Sequence, residues 1–256
     1  METLKNIIHS FDAISLQDME ESALLNRTDT KFVFSRDQLY DVLPALRDDY
    51  DMLEVARTRI NHYKTLYFDT PAYDFYHMHH NGKNGRYKVR IRNYVDSGLY
   101  FLETKYKFKG RTIKSRLPIG QFEHELSPSS ERFLEQSMKN DYQKIKAQLW
   151  NDFNRITLSN KKSEERLTID INLDFSWAGK QIVFKDYVIA ELKQPRINYR
   201  SPFYKAMKTM RIRPMSMSKY CIGLIFMRAA LGDPIKSNTF KSRILKLNKI
   251  ENARVD

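Results

Sequence analysis

The stretch Arg86-Tyr87-Lys88-Val89-Arg90-Ile91-Arg92 decides the fold. Side chains on a β-strand alternate between faces, so the even positions give one face made only of Arg and Lys, and the odd positions give an apolar face. The run from Phe101 to Lys109 repeats the pattern. It sets Glu103, Lys105, Lys107 and Lys109 against Leu102, Tyr106 and Phe108, and the Asp96-Ser97-Gly98 connection predicts a hairpin with the first strand. Lys114 and Arg116 continue it on a third strand after the Gly110-Arg111 turn.

Further alternating runs flank these three. Arg155 and Thr157 alternate with Ile156 and Leu158, while Arg166, Thr168, Asp170 and Asn172 alternate with Leu167, Ile169, Ile171 and Leu173. Ile189, Glu191 and Lys193 share a face; so do Arg27, Asp29 and Lys31, opposite Phe32 and Phe34. Leu66 and Phe68 lie opposite Tyr67 and Asp69, which brings the count to about eight strands. Helical periodicity is expected over Ser15–Leu25, Ser35–Leu46, Pro71–His80, Pro128–Met138, Tyr142–Phe153 and Ser218–Leu231, with Ser35 and Ser218 as N-caps.

Charge is concentrated. The formal net charge is +13, and the 83–116 segment alone holds 11 Lys or Arg against 2 acids, while residues 1–60 hold 7 basic and 12 acidic residues. Solvated outer faces would account for any single cationic strand, with lysines protecting sheet edges. Three neighbouring strands are harder to explain in that way. Like charges opposite one another across a ladder destabilise by up to about 1 kcal/mol per pair. A bound polyanion offsets that repulsion, and phosphate oxygens suit the Arg fork and the Lys ammonium.

Glu103 and Glu191 each precede a lysine by two residues and so share its face. A structural salt bridge accounts for each. A carboxylate among phosphates would also hold Mg²⁺ or Mn²⁺, which complete their shells with phosphate and water. Nucleic acid is not the expected partner, because Tyr87, Tyr106 and Phe108 fall on the face opposite the charges, where they cannot stack bases beside the phosphates. No Walker-type phosphate loop, zinc-ligand spacing or kinase signature is present in the sequence. His77, His79 and His80 are expected at exposed or capping positions.

With 256 residues, 41% of them hydrophobic, the chain has material for one large core. Residues 1–235 are read as a single domain and residues 236–256, with 6 basic and 2 acidic side chains, as a basic C-terminal tail with little to pack. The single Cys221 excludes an internal disulfide and is expected in the core. The first 25 residues lack an apolar signal segment, and the longest apolar run, Cys221–Met227, is far short of the ~20 residues of a spanning helix. A cytoplasmic location is the expectation.

The ordered motifs resemble the polyphosphate polymerase domain of the vacuolar transporter chaperone (VTC) family. That family is a branch of the triphosphate tunnel (CYTH-like) superfamily, also found as stand-alone bacterial proteins. The resemblance runs from about residue 24 to residue 231. Thr65-Leu66-Tyr67-Phe68-Asp69-Thr70, Arg90-Ile91-Arg92, Glu103-Thr104-Lys105 and Lys114-Ser115-Arg116 carry it first. Asn154-Arg155, Arg166-Leu167-Thr168-Ile169-Asp170, Glu191-Leu192-Lys193 and Ser218-Lys219-Tyr220 follow. It implies an α+β fold, an eight-stranded antiparallel β-barrel tunnel with polar faces inward and helices packed around the outside. It further implies that Lys31, Arg90, Arg92, Lys105, Lys114, Arg155, Arg166 and Lys219 grip phosphates, that Glu191 binds Mn²⁺ or Mg²⁺, and that Lys88, Lys107, Arg116 and Lys193 line the lumen.

The activity so implied is transfer of the ATP γ-phosphoryl group to a growing polyphosphate chain. Triphosphatase or adenylate-cyclase-like members of the superfamily carry Glu-x-Glu-x-Lys on the first strand, where this chain has Arg27-Thr28-Asp29-Thr30-Lys31. The loss of the first carboxylate favours the polymerase branch. A non-catalytic polyphosphate or nucleotide sensor is the alternative of a different class. Eukaryotic assemblies of the family add membrane helices, so association with a membrane would run through a partner protein. The sequence leaves the oligomeric state open.

Overall fold

The computed structural model describes residues 3–21, 27–138 and 144–252. Its centre is one large sheet. β2 (Thr28–Ser35), β11 (Tyr187–Gln194), β9 (Arg166–Trp177), β8 (Lys146–Asn160), β4 (Asn61–Asp69), β5 (Arg86–Tyr94), β6 (Leu99–Phe108) and β7 (Arg111–Ile119) lie side by side in that order. Every pair along this path is antiparallel. β3 (Tyr50–Leu53) pairs with β8, β10 (Lys180–Phe184) pairs with β9, and β1 (Ala13–Ile14) adds a short parallel pair with β3.

Eight strands therefore make the main wall, as the alternation anticipates. Its two ends, β2 and β7, are not hydrogen-bonded to each other among the described residues. The sheet nonetheless curls. Arg27 and Asp29, beside and on β2, act electrostatically on Lys114 of β7, and Lys88 of β5 acts on Lys31 of β2. The result is a tunnel with an open seam.

Apolar faces point outward under helices. Phe32, Ile156, Leu167, Ile169, Val188 and Leu192 are buried under α1 (Leu4–His9), α3 (Arg36–Val42) and α6 (Pro202–Thr209). On the other half, Leu66, Val89, Ile91 and Leu102 are covered by α4 (Asp74–His80) and α5 (Pro128–Met138). Burying each large side chain stabilises the fold by about 1.5–3 kcal/mol relative to exposure. Ser35 caps α3 in a reciprocal capping box with Gln38, and Pro44 then ends the regular helix, because a prolyl ring lacks the N–H that the next turn needs.

The third cluster lies inside. α7 (Lys219–Ala230) packs against Leu149, Phe153, Leu173 and Phe175 from the tunnel side and so closes part of one end. A Cβ on Gly223 would lie 2.3 Å from the Phe175 ring and 2.9 Å from Leu149. Only a glycine lets the helix approach this closely. Asp69 fixes the same end by accepting the backbone N–H groups of Phe75 and Tyr76 and the Tyr220 hydroxyl, which ties β4 to both α4 and α7.

Three expectations are corrected. Residues 146–153, inside the expected Tyr142–Phe153 helix, form the first half of β8, because β4 and β9 flank the segment and supply its hydrogen bonds. Residues 142 and 143 lie outside the described residues, as do 22–25 of the expected Ser15–Leu25 helix, whose start is α2 (Leu16–Glu21). The strict alternation of β9 breaks at Asn172, which has φ of 54° and marks a β-bulge, so that Leu173 packs inward with Phe175 while Ile171 packs outward. The stretch after residue 235 is not an unpacked tail. It carries α8 (Lys241–Asn252), with Phe240 and Leu247 buried, because its apolar residues recur at helical spacing.

Candidate functional site

The cationic side chains meet on the inner face. Along β5, Lys88, Arg90 and Arg92 project inward beside Glu103, Lys105 and Lys107 of β6, which stand in turn beside Lys114 and Arg116 of β7. Arg155 (β8), Arg166 (β9), Glu191 and Lys193 (β11) and Lys31 (β2) complete the wall, and Lys219 enters from the first turn of α7.

On the β8–β9–β11–β2 side Asp170 and Glu191 are each shared between two cations. Asp170, which is buried, accepts both Arg155 Nε at 2.6 Å and Nη2 at 2.9 Å and is also bonded by Lys219. Burial opposes ionisation there, but Arg155 and Lys219 hold the carboxyl far below its usual range. Glu191 is ion-paired with Lys31 and, at 3.2 Å, with Lys193, whose ammonium also donates to Thr168 Oγ1 at 3.0 Å. Arg166 bonds the Met19 carbonyl of α2 and so stands at the tunnel end opposite α7.

The β5–β6–β7 side differs. Glu103 receives Arg90 at 2.6 Å, and against burial the charges of Arg90, Arg92 and Lys105 pull it down to about 2. That is the only carboxylate salt bridge on this side among the described residues. Arg92 is 6% exposed, its Nε has no hydrogen-bond partner, and burial followed by the Arg90 charge lowers its pKa. Lys105 makes no salt bridge among the described residues, and Arg90, burial and Arg92 together push it well below the usual lysine range. Lys88 donates to Ser218 Oγ at 3.1 Å, and burial lowers it too. Lys107, Lys114 and Arg116 are the more exposed members.

Sequence reasoning missed the aromatic floor. Tyr63 and Phe153 stack at 5.3 Å, and Arg155 lies 5.0 Å from the Tyr63 ring centroid, Arg92 5.6 Å from it and Lys219 3.3 Å from that of Phe153. Tyr87, Tyr106 and Phe108 do stack on one another away from the charges, as expected, but Tyr63 and Phe153 share the cationic face. Because both are buried, they hold guanidinium groups by cation–π contact and present no stacking platform. The signal was available, since Phe153 has the parity of Arg155. Asp170, the anchor of two cations, stood out in the sequence as a member of its strand face and of the Arg166–Asp170 motif, without a role of its own.

Among the described residues no group of three His, Cys, Asp or Glu side chains could cage a metal. A divalent ion bound here would take at most a single carboxylate, such as Glu191, whose two oxygens are ion-paired to Lys31 and Lys193, and would draw the rest of its shell from oxygens that the protein does not supply. Glu103 is held by Arg90 through both Nε and Nη2. In the histidine cluster, His80 is buried between Asn81 and Asn238 at 2.8 Å each, a structural role, and burial lowers His79 to about 3. No described helix is long and apolar enough to cross a membrane.

A family model, the VTC domain, matches residues 26–228. No curated protein matches the chain. Among solved structures, a putative adenylate cyclase from Vibrio parahaemolyticus aligns at 12% identity over 77% of this chain and 97% of that one, with a TM-score of 0.46. A putative adenylyl cyclase from Hippeastrum, described as having a dominant triphosphatase activity, aligns at 14% identity over 77% and 95%, also at 0.46. A putative adenylate cyclase from Bacillus halodurans aligns at 14% identity over 75% and 94%, at 0.44.

Proposed function

The chain belongs to the VTC domain family, and on that premise we propose that it is a polyphosphate polymerase, transferring the γ-phosphoryl group of ATP to the end of a polyphosphate chain held in the tunnel. The observation that carries the reading is the wall formed by Arg92, Lys105 and Lys88, buried or half-buried cations with no carboxylate partner among the described residues. A fold that leaves them so gains most from a multivalent anion.

An oxygen of the chain's terminal phosphate attacks the γ-phosphorus. The bond to the β,γ-bridging oxygen breaks, ADP leaves with that electron pair, and the chain gains one phosphate. The attacking group is a phosphate, so no protein nucleophile is required. Arg90, Arg92, Lys105 and Lys114 on one wall and Arg155, Arg166 and Lys219 on the other align the two phosphates and take up the negative charge that develops between them. Lys31, Lys88, Lys107, Arg116 and Lys193 hold the flanking phosphates. Asp170 and Glu103 orient Arg155, Lys219 and Arg90 through the ion pairs described above. A divalent Mn²⁺ or Mg²⁺, held by Glu191 or Glu103, would supply further charge neutralisation.

Incubation with ATP and Mn²⁺, followed by gels stained for polyphosphate and an assay of free phosphate, tests the assignment. A ladder of anionic polymer with release of ADP supports it. Free phosphate alone would make the protein a tunnel triphosphatase, and neither product, with ATP bound, would make it a sensor.

A further inference from the structure

The segment beyond the matched domain forms a strap that returns to the tunnel. The Tyr76 hydroxyl donates to the Lys236 carbonyl at 2.7 Å, His80 meets Asn238 at 2.8 Å, Phe240 is buried, and at the far end Glu251 accepts the N–H groups of Asp186 and Tyr187 at 3.1 Å each. Between these anchors lies Arg243. Its Nε donates to the Ser216 carbonyl at 2.9 Å, Nη2 to Ser216 Oγ at 2.9 Å, and Nη1 to the Thr239 carbonyl at 3.0 Å.

The residues around Ser216 explain why that grip matters. Met215 N–H donates to the Lys31 carbonyl at 2.8 Å, and Pro214 bridges to Phe32, so the loop is stitched to β2. Two residues after Ser216, Ser218 caps α7 through the Cys221 N–H and receives Lys88, and Lys219 reaches Asp170. One short loop thus connects a half-buried arginine beyond the matched residues to three lumen cations.

We propose that Arg243 is a positioning residue: through Ser216 it sets the register of the first turn of α7, and so places Lys219 and Ser218 in the tunnel. The inference rests on the reading of the lumen as a polyphosphate site. A fork of three bonds from a partly exposed side chain adds only modestly to global stability, since solvent competes for each contact, but it removes the freedom of the loop that Lys219 depends on.

The test is a double-mutant cycle with inorganic tripolyphosphate as the calorimetric probe, joined to the labelling rate of the single thiol, Cys221, which is buried in that first turn. R243A is expected to weaken tripolyphosphate binding about tenfold, with little change in Tm, and to speed the labelling of Cys221. In a Lys219→Met background, R243A should add less than about a twofold loss, because Arg243 acts through Lys219. R243K, which keeps one donor, should recover part of the affinity, and S216A provides a second way of loosening the grip. Losses that multiply across the cycle, or wild-type affinity in both R243A and S216A, would overturn the proposal. If wild type does not bind tripolyphosphate, the reading of the tunnel fails; unchanged Cys221 labelling in R243A would then overturn the strap by itself.

Discussion

The two walls of the tunnel carry the same charge in opposite states. Along β8, β9, β11 and β2 four cations are ion-paired: Arg155 and Lys219 share Asp170, and Lys31 and Lys193 share Glu191. On β5, β6 and β7 only Arg90 has a carboxylate, while Arg92 and Lys105 face the lumen without one among the described residues. The paired wall is complete without ligand and keeps the site in shape. The unpaired wall keeps uncompensated repulsion, which a bound polyanion would relieve. The contrast separates cations whose charge is already balanced in the free protein from cations whose charge is not, although as Arg and Lys they look alike in the sequence.

The largest effect should come from breaking the paired wall. Asp170→Asn leaves Arg155 and Lys219 buried without their counter-charge and is expected to destabilise the protein by about 3–5 kcal/mol, read from denaturant unfolding. A loss below about 1 kcal/mol would show that this wall does not need its carboxylate. Next is Arg90→Ala on the other wall, expected to lower polymerisation by a factor of about 10² to 10³ with the fold intact by circular dichroism. Normal activity in a folded variant would remove Arg90 from the site.

Smaller effects sharpen the comparison. Glu191→Gln should lose metal-dependent turnover more than ligand binding, seen when turnover is titrated against Mn²⁺; a wild-type metal dependence would take Glu191 out of that role. Lys105→Met should move stability and binding in opposite directions. The ligand-free protein gains up to about 1 kcal/mol from relief of repulsion by Arg90 and Arg92, while tripolyphosphate affinity falls about tenfold. A variant that loses both would place Lys105 with the structural set.

Much of this plan was legible in the strands. Arg86 to Arg92 and Phe101 to Lys109 keep a strict period of two because one face must meet water or phosphate and the other a helix. Ser35 and Ser218 declared their caps, since a hydroxyl before a helical run satisfies its first free N–H groups. Residues 146–153 did not read as strand, because Lys, Ala, Gln and Leu are good helix formers and only the neighbours β4 and β9 override that preference. Asn172 hid its bulge, since a single residue at positive φ leaves no periodic trace. The division into paired and unpaired walls was hidden as well, because it depends on which strands become neighbours and on α7 delivering Lys219 to Asp170 from 49 residues away.

The most direct test of the unpaired wall is protonic. In the folded chain Lys105 is held well below the usual lysine range, so between its folded pKa and about 10.4 the unfolded chain binds more protons, and ligand-free stability rises with pH in that window. On the proposed function, a polyphosphate in the lumen would offset the repulsion and raise the pKa of Lys105 again. Calorimetric titration of tripolyphosphate into the protein at a series of pH values from neutrality to about 10, in two buffers of different ionisation enthalpy at each, measures the protons exchanged on binding. The account predicts tight binding with net proton uptake that shrinks in Lys105→Met; no binding, or binding without uptake in wild type, would contradict it.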